Sequence, residues 1–267
     1  MMSSLFVVSR RSAQQASTFA FVAGVVVIAF CAIALAGWIA GIEALKSVLP
    51  GLPPMKANTA LFLALVAAAI CVAVRAENRP SWLVVFPAVA GSLAALTVLQ
   101  SIFSFNAGID QLIFADALSS SVLSPGRMAP VTALAIVLLS VDVAVRGRTP
   151  ALLTARQVAA LLPVVFGVLA LIGHAFGIHF IPGAASPFAT MSAPTAVSIL
   201  HLGLAVLAME PEAGIMRIVL ADRVGGRFAR RILPIAILFP IAVGWLRLAG
   251  QQAGYFDTSF GVLIMVL

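Results

Sequence analysis

Apolar residues run through this chain in blocks of about twenty, separated by short stretches that collect its Arg, Pro and Gly. The blocks cover 18–41, 55–74, 81–104, 128–146, 157–179, 191–210 and 232–249, and 257–267 opens another. At about 1.5 Å of rise per residue, a twenty-residue helix spans about 30 Å, the thickness of a bilayer's hydrocarbon core. The pattern predicts an all-α polytopic membrane bundle over 1–267, one integral-membrane domain with seven complete spans and the start of an eighth.

Three blocks open alike, with Met55-Lys56-Ala57-Asn58-Thr59-Ala60, Met128-Ala129-Pro130-Val131-Thr132-Ala133 and Met191-Ser192-Ala193-Pro194-Thr195-Ala196. Their starts lie 73 and 63 residues apart, which is room for one outgoing and one returning span. The chain therefore reads as four helical hairpins, about 18–74, 81–146, 157–210 and 232–267. The fourth copy is partial, keeping Thr258 but having Gly254 where the Met would stand. Pro130 and Pro194 fall in a first helical turn, where a missing N–H has no consequence, and Asn58 or Ser192 is placed to cap the exposed amides. Thr-Ala then offers a small, hydrogen-bonding surface on which a second helix can pack closely. The last block stops about ten residues in, too short to cross lipid, so the pattern predicts a longer protein whose remainder after Leu267 lies on the cytoplasmic side.

Composition agrees. The chain is 62% hydrophobic and 9% charged, with a mean hydropathy of +1.14. Soluble domains carry about 25% charged residues, so polar helix faces are missing and lipid must cover much of the surface. The net charge of +7 is distributed by side rather than gathered for nucleic acid. Of the 16 Lys and Arg, twelve fall at the N-terminus and in every second loop, at Arg10, Arg11, Arg75, Arg79, Arg146, Arg148, Arg156, Arg217, Arg223, Arg227, Arg230 and Arg231. The other loops hold Lys46, Lys56, Arg127 and Arg247. The positive-inside rule then predicts a cytoplasmic N-terminus and, for a bacterial protein, the inner membrane. Cys31 and Cys71 lie inside apolar runs and read as buried thiols. The first block continues past Ala34-Leu35-Ala36 into Trp38 and Ile42, as an uncleaved anchor does. Residues 215–220 read as a short interfacial helix ended by Gly225-Gly226, and Arg227, Arg230 and Arg231 suit anionic lipid.

Enzyme signatures are missing from the sequence: it contains no Gly-x-Ser-x-Gly, no His-Glu-x-x-His, no phosphate loop and no zinc-spaced cysteines. Catalysis and a bound cofactor are therefore not expected. Laid against its own copies, the repeat singles out two ionisable residues. His201 stands where the other copies have Leu65 and Leu138, and Asp142 where they have Ala69 and Ala205. Ionisable groups inside a span are costly and often mark function. Asp142 has Arg146 one turn on as a local partner, and His201 is either a neutral ring bonded to a Ser, Thr or carbonyl or a working site. His174 and His179 end the fifth span on the outer side, at a different depth from His201. Asp110 and Asp116 read as solvated loop charges, and Arg247 with Asp257 as a pair stapling the last hairpin.

The repeat motifs occur together with Gly225-Gly226-Arg227-Phe228-Ala229-Arg230-Arg231-Ile232-Leu233-Pro234, Gly244-Trp245-Leu246-Arg247 and Gly254-Tyr255-Phe256-Asp257-Thr258. In these features the chain resembles the N-terminal integral-membrane regions of bacterial sensor proteins, which precede PAS, histidine-kinase or diguanylate-cyclase modules. That resemblance implies a sensory input module passing its signal through the last span to a cytoplasmic effector in cis. It also implies homodimerisation through the full-length protein, with membrane lipid as the other partner. A small transporter or channel subunit and a structural membrane anchor are the alternatives.

Overall fold

The structure, a computed structural model, describes residues 8–47, 52–76, 78, 80–116, 124–145, 149–176, 191–221 and 224–255. Its helices are α1 (Arg10–Ala40), α2 (Glu43–Ser47), α3 (Ala57–Arg75), α4 (Val85–Phe103), α5 (Pro130–Ala144), α6 (Pro150–Ala175), α7 (Ala193–Ala208), α8 (Gly214–Leu220) and α9 (Val224–Gln252). A 3-10 turn at Ser81–Val84 leads into α4, and no strand occurs among the described residues. Five helical stretches, Arg10–Ala40, Ala57–Arg75, Ser81–Phe103, Pro150–Ala175 and Gly225–Gln252, are long and apolar enough to cross a membrane. The described residues are thus all-helical, with the long apolar helices of a membrane protein.

Helices α5 and α7 are shorter than the apolar runs that contain them, at 15 and 16 residues. The repeat accounts for the first two residues of each run. In all three copies the Met precedes an extended residue, Lys56, Ala129 or Ser192, and the helix starts only after it. Met55, Met128 and Met191 are nonetheless among the most buried large side chains. Extended backbone is tolerated at membrane depth where protein rather than lipid surrounds it. Pro130 and Pro194 do fall in the first turns, and Ser192 caps α7 by accepting from the Thr195 N–H at 3.3 Å. Asn58 stands in the first turn of α3 rather than at the N-cap, yet its Oδ1 still satisfies a first-turn amide, accepting from the Thr59 N–H, while Nδ2 reaches the Gly126 carbonyl.

The six longest-packed helices form a closed arrangement. Helices α1 and α3, α4 and α5, and α6 and α7 pack most extensively against each other. Each outer helix also touches a second inner one: α4 lies on α3, α6 on α5, and α1 on α7. The inner helices α3, α5 and α7 touch one another. The result is a pseudo-threefold ring in which each repeated pair makes the same two kinds of contact. Burial follows the division, with 67% of the most apolar stretch of α3 buried against 33% in α1, 28% in α4 and 22% in α6. All three Thr-Ala pairs are buried in this ring.

Glycine sets the approach within each pair. A Cβ on Gly24 of α1 would meet the Cys71 Sγ of α3 at 2.5 Å, and one on Gly91 of α4 would meet the Ser140 Cβ of α5 at 2.8 Å. On Gly167 of α6 it would meet the Ala196 carbonyl oxygen of α7 at 2.9 Å. Small residues at such crossings let backbones come close, which is what drives association where lipid is as apolar as leucine.

Helix α9 stands outside the ring. It packs mainly on α8, and only 6% of its most apolar stretch is buried. Phe228, Leu233, Leu238, Phe239 and Leu246 are each more than half exposed. Gly225-Gly226 does not end the interfacial helix, as the sequence had suggested. Helix α8 stops at Leu220 and the two glycines lie in the first turn of α9. Gly226 is needed for approach: a Cβ there would collide with the Ala221 carbonyl.

Candidate functional site

The described ion pairs of the bundle lie at its two ends. At the end where the Met motifs begin, loop 104–116 folds back over α3 and α5 and carries two carboxylates inward. Asp110 accepts from Arg127 Nε at 2.8 Å and from Gln100 Nε2 at 3.1 Å. Asp116 pairs with Lys56 Nζ at 2.5 Å, and its N–H donates to Gln111 Oε1. Arg127 Nη2 also donates to the Phe105 carbonyl, and the Ala107 N–H donates to Gln100 Oε1. These are not the solvated loop charges that the sequence suggested. The Asp116 side chain is 3% exposed and that of Asp110 6%, because loop 104–116 closes on the bundle rather than lying in the headgroups.

Charge balance makes this burial possible, since two carboxylates face two cations. The cations lie nearer solvent, with Lys56 20% and Arg127 14% exposed. Between them and Trp38, Asn58 and Phe114 is a cavity of about 10 Å³, the size of a single water. Gly126 closes its floor at a φ of 75°, which L-residues with a Cβ rarely adopt. Trp38 forms the wall, 6.0 Å from the Phe114 ring centroid, with Lys46 Nζ 4.3 Å above its indole and Glu43 holding that ammonium at 2.6 Å.

A second relation repeats around the ring. Trp38 Nε1 donates to the Met55 carbonyl at 2.8 Å, and His174 Nε2 bonds the Met191 carbonyl at 3.0 Å. In each case the ring nitrogen lies 17 residues before the Met. A carbonyl can only accept, so Nε2 of His174 carries the proton and the imidazole stands in for an indole. His201 likewise bonds a carbonyl, that of Val197 one turn earlier, through Nδ1 at 2.8 Å. The two histidines thus serve different backbone groups, and among the described residues no cluster of His, Cys, Asp or Glu suited to a metal ion occurs. His179 and Asp257 lie outside the described residues, so the His174/His179 and Arg247/Asp257 pairings are not described either. Arg247 itself is half-buried near the end of α9.

At the opposite end, Asp142 is held by the next helix pair. Arg156 on α6 donates to Asp142 Oδ1 through Nε at 3.0 Å and Nη2 at 2.8 Å, and to the Asp142 carbonyl at 2.9 Å. Arg146, the neighbour that the sequence offers, lies outside the described residues. Beside Arg156, Gln157 donates to the Glu210 carbonyl and accepts from the Met216 N–H, which fixes α8 beneath α7. Gln157, Gln100 and Trp38 stand out in the structure but not in the sequence. A buried amide or indole inside an apolar run was the only signal each gave.

No family model, curated protein or solved structure matches this chain.

Proposed function

We propose that the chain is a membrane-embedded sensory input module, with the motif-end ion network as its receiving site and α9 as its output. The observation that carries this reading is α9, an apolar helix outside a closed ring, joined to it through α8 and by the end of α6. There a Cβ on Gly244 of α9 would lie 3.2 Å from the Phe176 ring, two residues beyond His174. This contact gives α9 a second attachment, near the motif end, which supports transmission by a shift between two packings. An incoming anion would meet Lys56 and Arg127 first, and competition for either cation would release a carboxylate and loop 104–116. On this reading α9 is the outgoing member of a fourth hairpin, the chain makes seven spans and begins an eighth, and the N-terminus is on the cytoplasmic side of a bacterial inner membrane. A kinase or cyclase effector would follow, and this chain itself would not be an enzyme.

The filled interior favours this over a channel through one protomer, since Leu63, Ile70, Ile136, Leu139, Ile199 and Leu202 are fully buried among the inner helices. Spin labels at Leu238→Cys on α9 and Val25→Cys on α1, with Cys31 and Cys71 replaced by Ala, test the coupling. Asp110→Asn should shift the distance distribution between the labels. A distribution unmoved by Asp110→Asn, Lys56→Gln and Arg127→Gln alike would sink the reading, and solute flux by the protein in liposomes would favour transport.

A further inference from the structure

At the arginine-rich end, the first turns of α1, the last turns of α7, and helices α8 and α9 leave a cleft of about 360 Å³ between them. It is far larger than the roughly 10–15 Å³ that a water needs. Phe19, Leu204, Met216 and Leu220 make its walls apolar. Its polar groups are Ser12, Gln15 and Arg230. Arg230 is anchored by one nitrogen only, with Nη1 donating to the Val219 carbonyl at 2.8 Å and to the Ala221 carbonyl at 3.1 Å. The guanidinium has five N–H donors, so those on Nε and Nη2 have no protein acceptor among the described residues. No carboxylate is paired with it among those residues either, and Arg10, Arg11 and Arg227 are exposed at the same end.

We infer that this cleft binds one anionic phospholipid, its phosphate on Arg230 with Ser12 and Gln15 beside it, and an acyl chain along the Phe19–Leu204–Leu220 wall. A largely apolar space that also carries a cation, beside two helices apolar enough to span a membrane, matches an amphiphile rather than a soluble ion. The lipid would join α1 and α7 of the ring to α8 and α9, which otherwise meet there across open space. The site does not depend on the sensory reading.

Native mass spectrometry of the detergent-purified protein, titrated with phosphatidylglycerol, phosphatidylcholine or glycerol 3-phosphate, is the test. The wild type should retain one phosphatidylglycerol about fivefold better than phosphatidylcholine. Arg230→Gln should remove that preference and Arg230→Lys should keep most of it. Because Arg230 also anchors α8, a second variant leaves it untouched: Leu204→Trp fills the cleft from the half-exposed face of α7 and should lower retention of both lipids. Equal retention of the two lipids by the wild type, or full retention by Leu204→Trp, overturns the proposal. Displacement of phosphatidylglycerol by equimolar glycerol 3-phosphate would identify a headgroup site and overturn the acyl part.

Discussion

Asp142 and Arg156 show what a single charge means in this interior. Their side chains are 5% and 8% exposed, so each charge needs an opposite charge beside it. Removing one partner of a buried pair costs about 3–5 kcal/mol, whereas replacing both by apolar residues is often close to neutral. Asp142→Asn should therefore lower the unfolding free energy by about 3 kcal/mol in a denaturing-detergent titration, and Asp142→Leu with Arg156→Met should recover most of it. A double variant as unstable as the single one would mean that the pair is not what matters. The repeat made Asp142 visible in the sequence, because its counterparts are alanines. Its described partner was not visible, being 14 residues away on a helix that the chain reaches only after turning back. Trp38 and His174 were hidden for a related reason: a ring N–H reaching a motif carbonyl leaves no local pattern. Trp38→Phe and His174→Phe should each cost about 1–2 kcal/mol in the same titration, the penalty for an unsatisfied buried carbonyl. Substitutions without effect would show that these carbonyls find water.

At the scale of helices, the periodic blocks of the sequence carried most of the information, since burial in lipid demands long uninterrupted apolar runs. Their ends were less legible. Inner helices α5 and α7 begin after an extended, protein-covered residue, so hydropathy continues where helix does not. Glycine roles were also hidden, because they depend on what lies opposite. Gly167 and Gly173 share α6, yet a Cβ on Gly167 would strike the Ala196 carbonyl oxygen and Leu200, while one on Gly173 meets nothing within 4 Å. Gly167→Ala should destabilise by about 1–3 kcal/mol through overpacking. Gly173→Ala should stabilise by up to about 1 kcal/mol through helix propensity. Thermal melts in detergent distinguish the two, and equal shifts would contradict the crossing described for α6 and α7.

For the whole molecule, the repeat spacing announced paired helices but not their closure. Nothing local in α1 says that it will lie on α7, some 150 residues later; that contact exists because each outer helix must fill the gap between two inner ones. The charge network at the motif end is long-range in the same sense, joining Lys56 to Asp116 across 60 residues. Closure has a consequence for chain order. Ser12 and Gln15 at the start of α1 line the same cleft as Leu207 and Ala208 at the end of α7, so the first and third pairs meet where their termini lie. A ring built of three equivalent pairs has no intrinsic first member. A circular permutant running from 80 to 221, then through a short Gly-Ser linker into 8–76, should insert and melt like the parent even though it lacks α9. The order in which the three pairs follow one another along the chain would then be free, while their contacts around the ring are not.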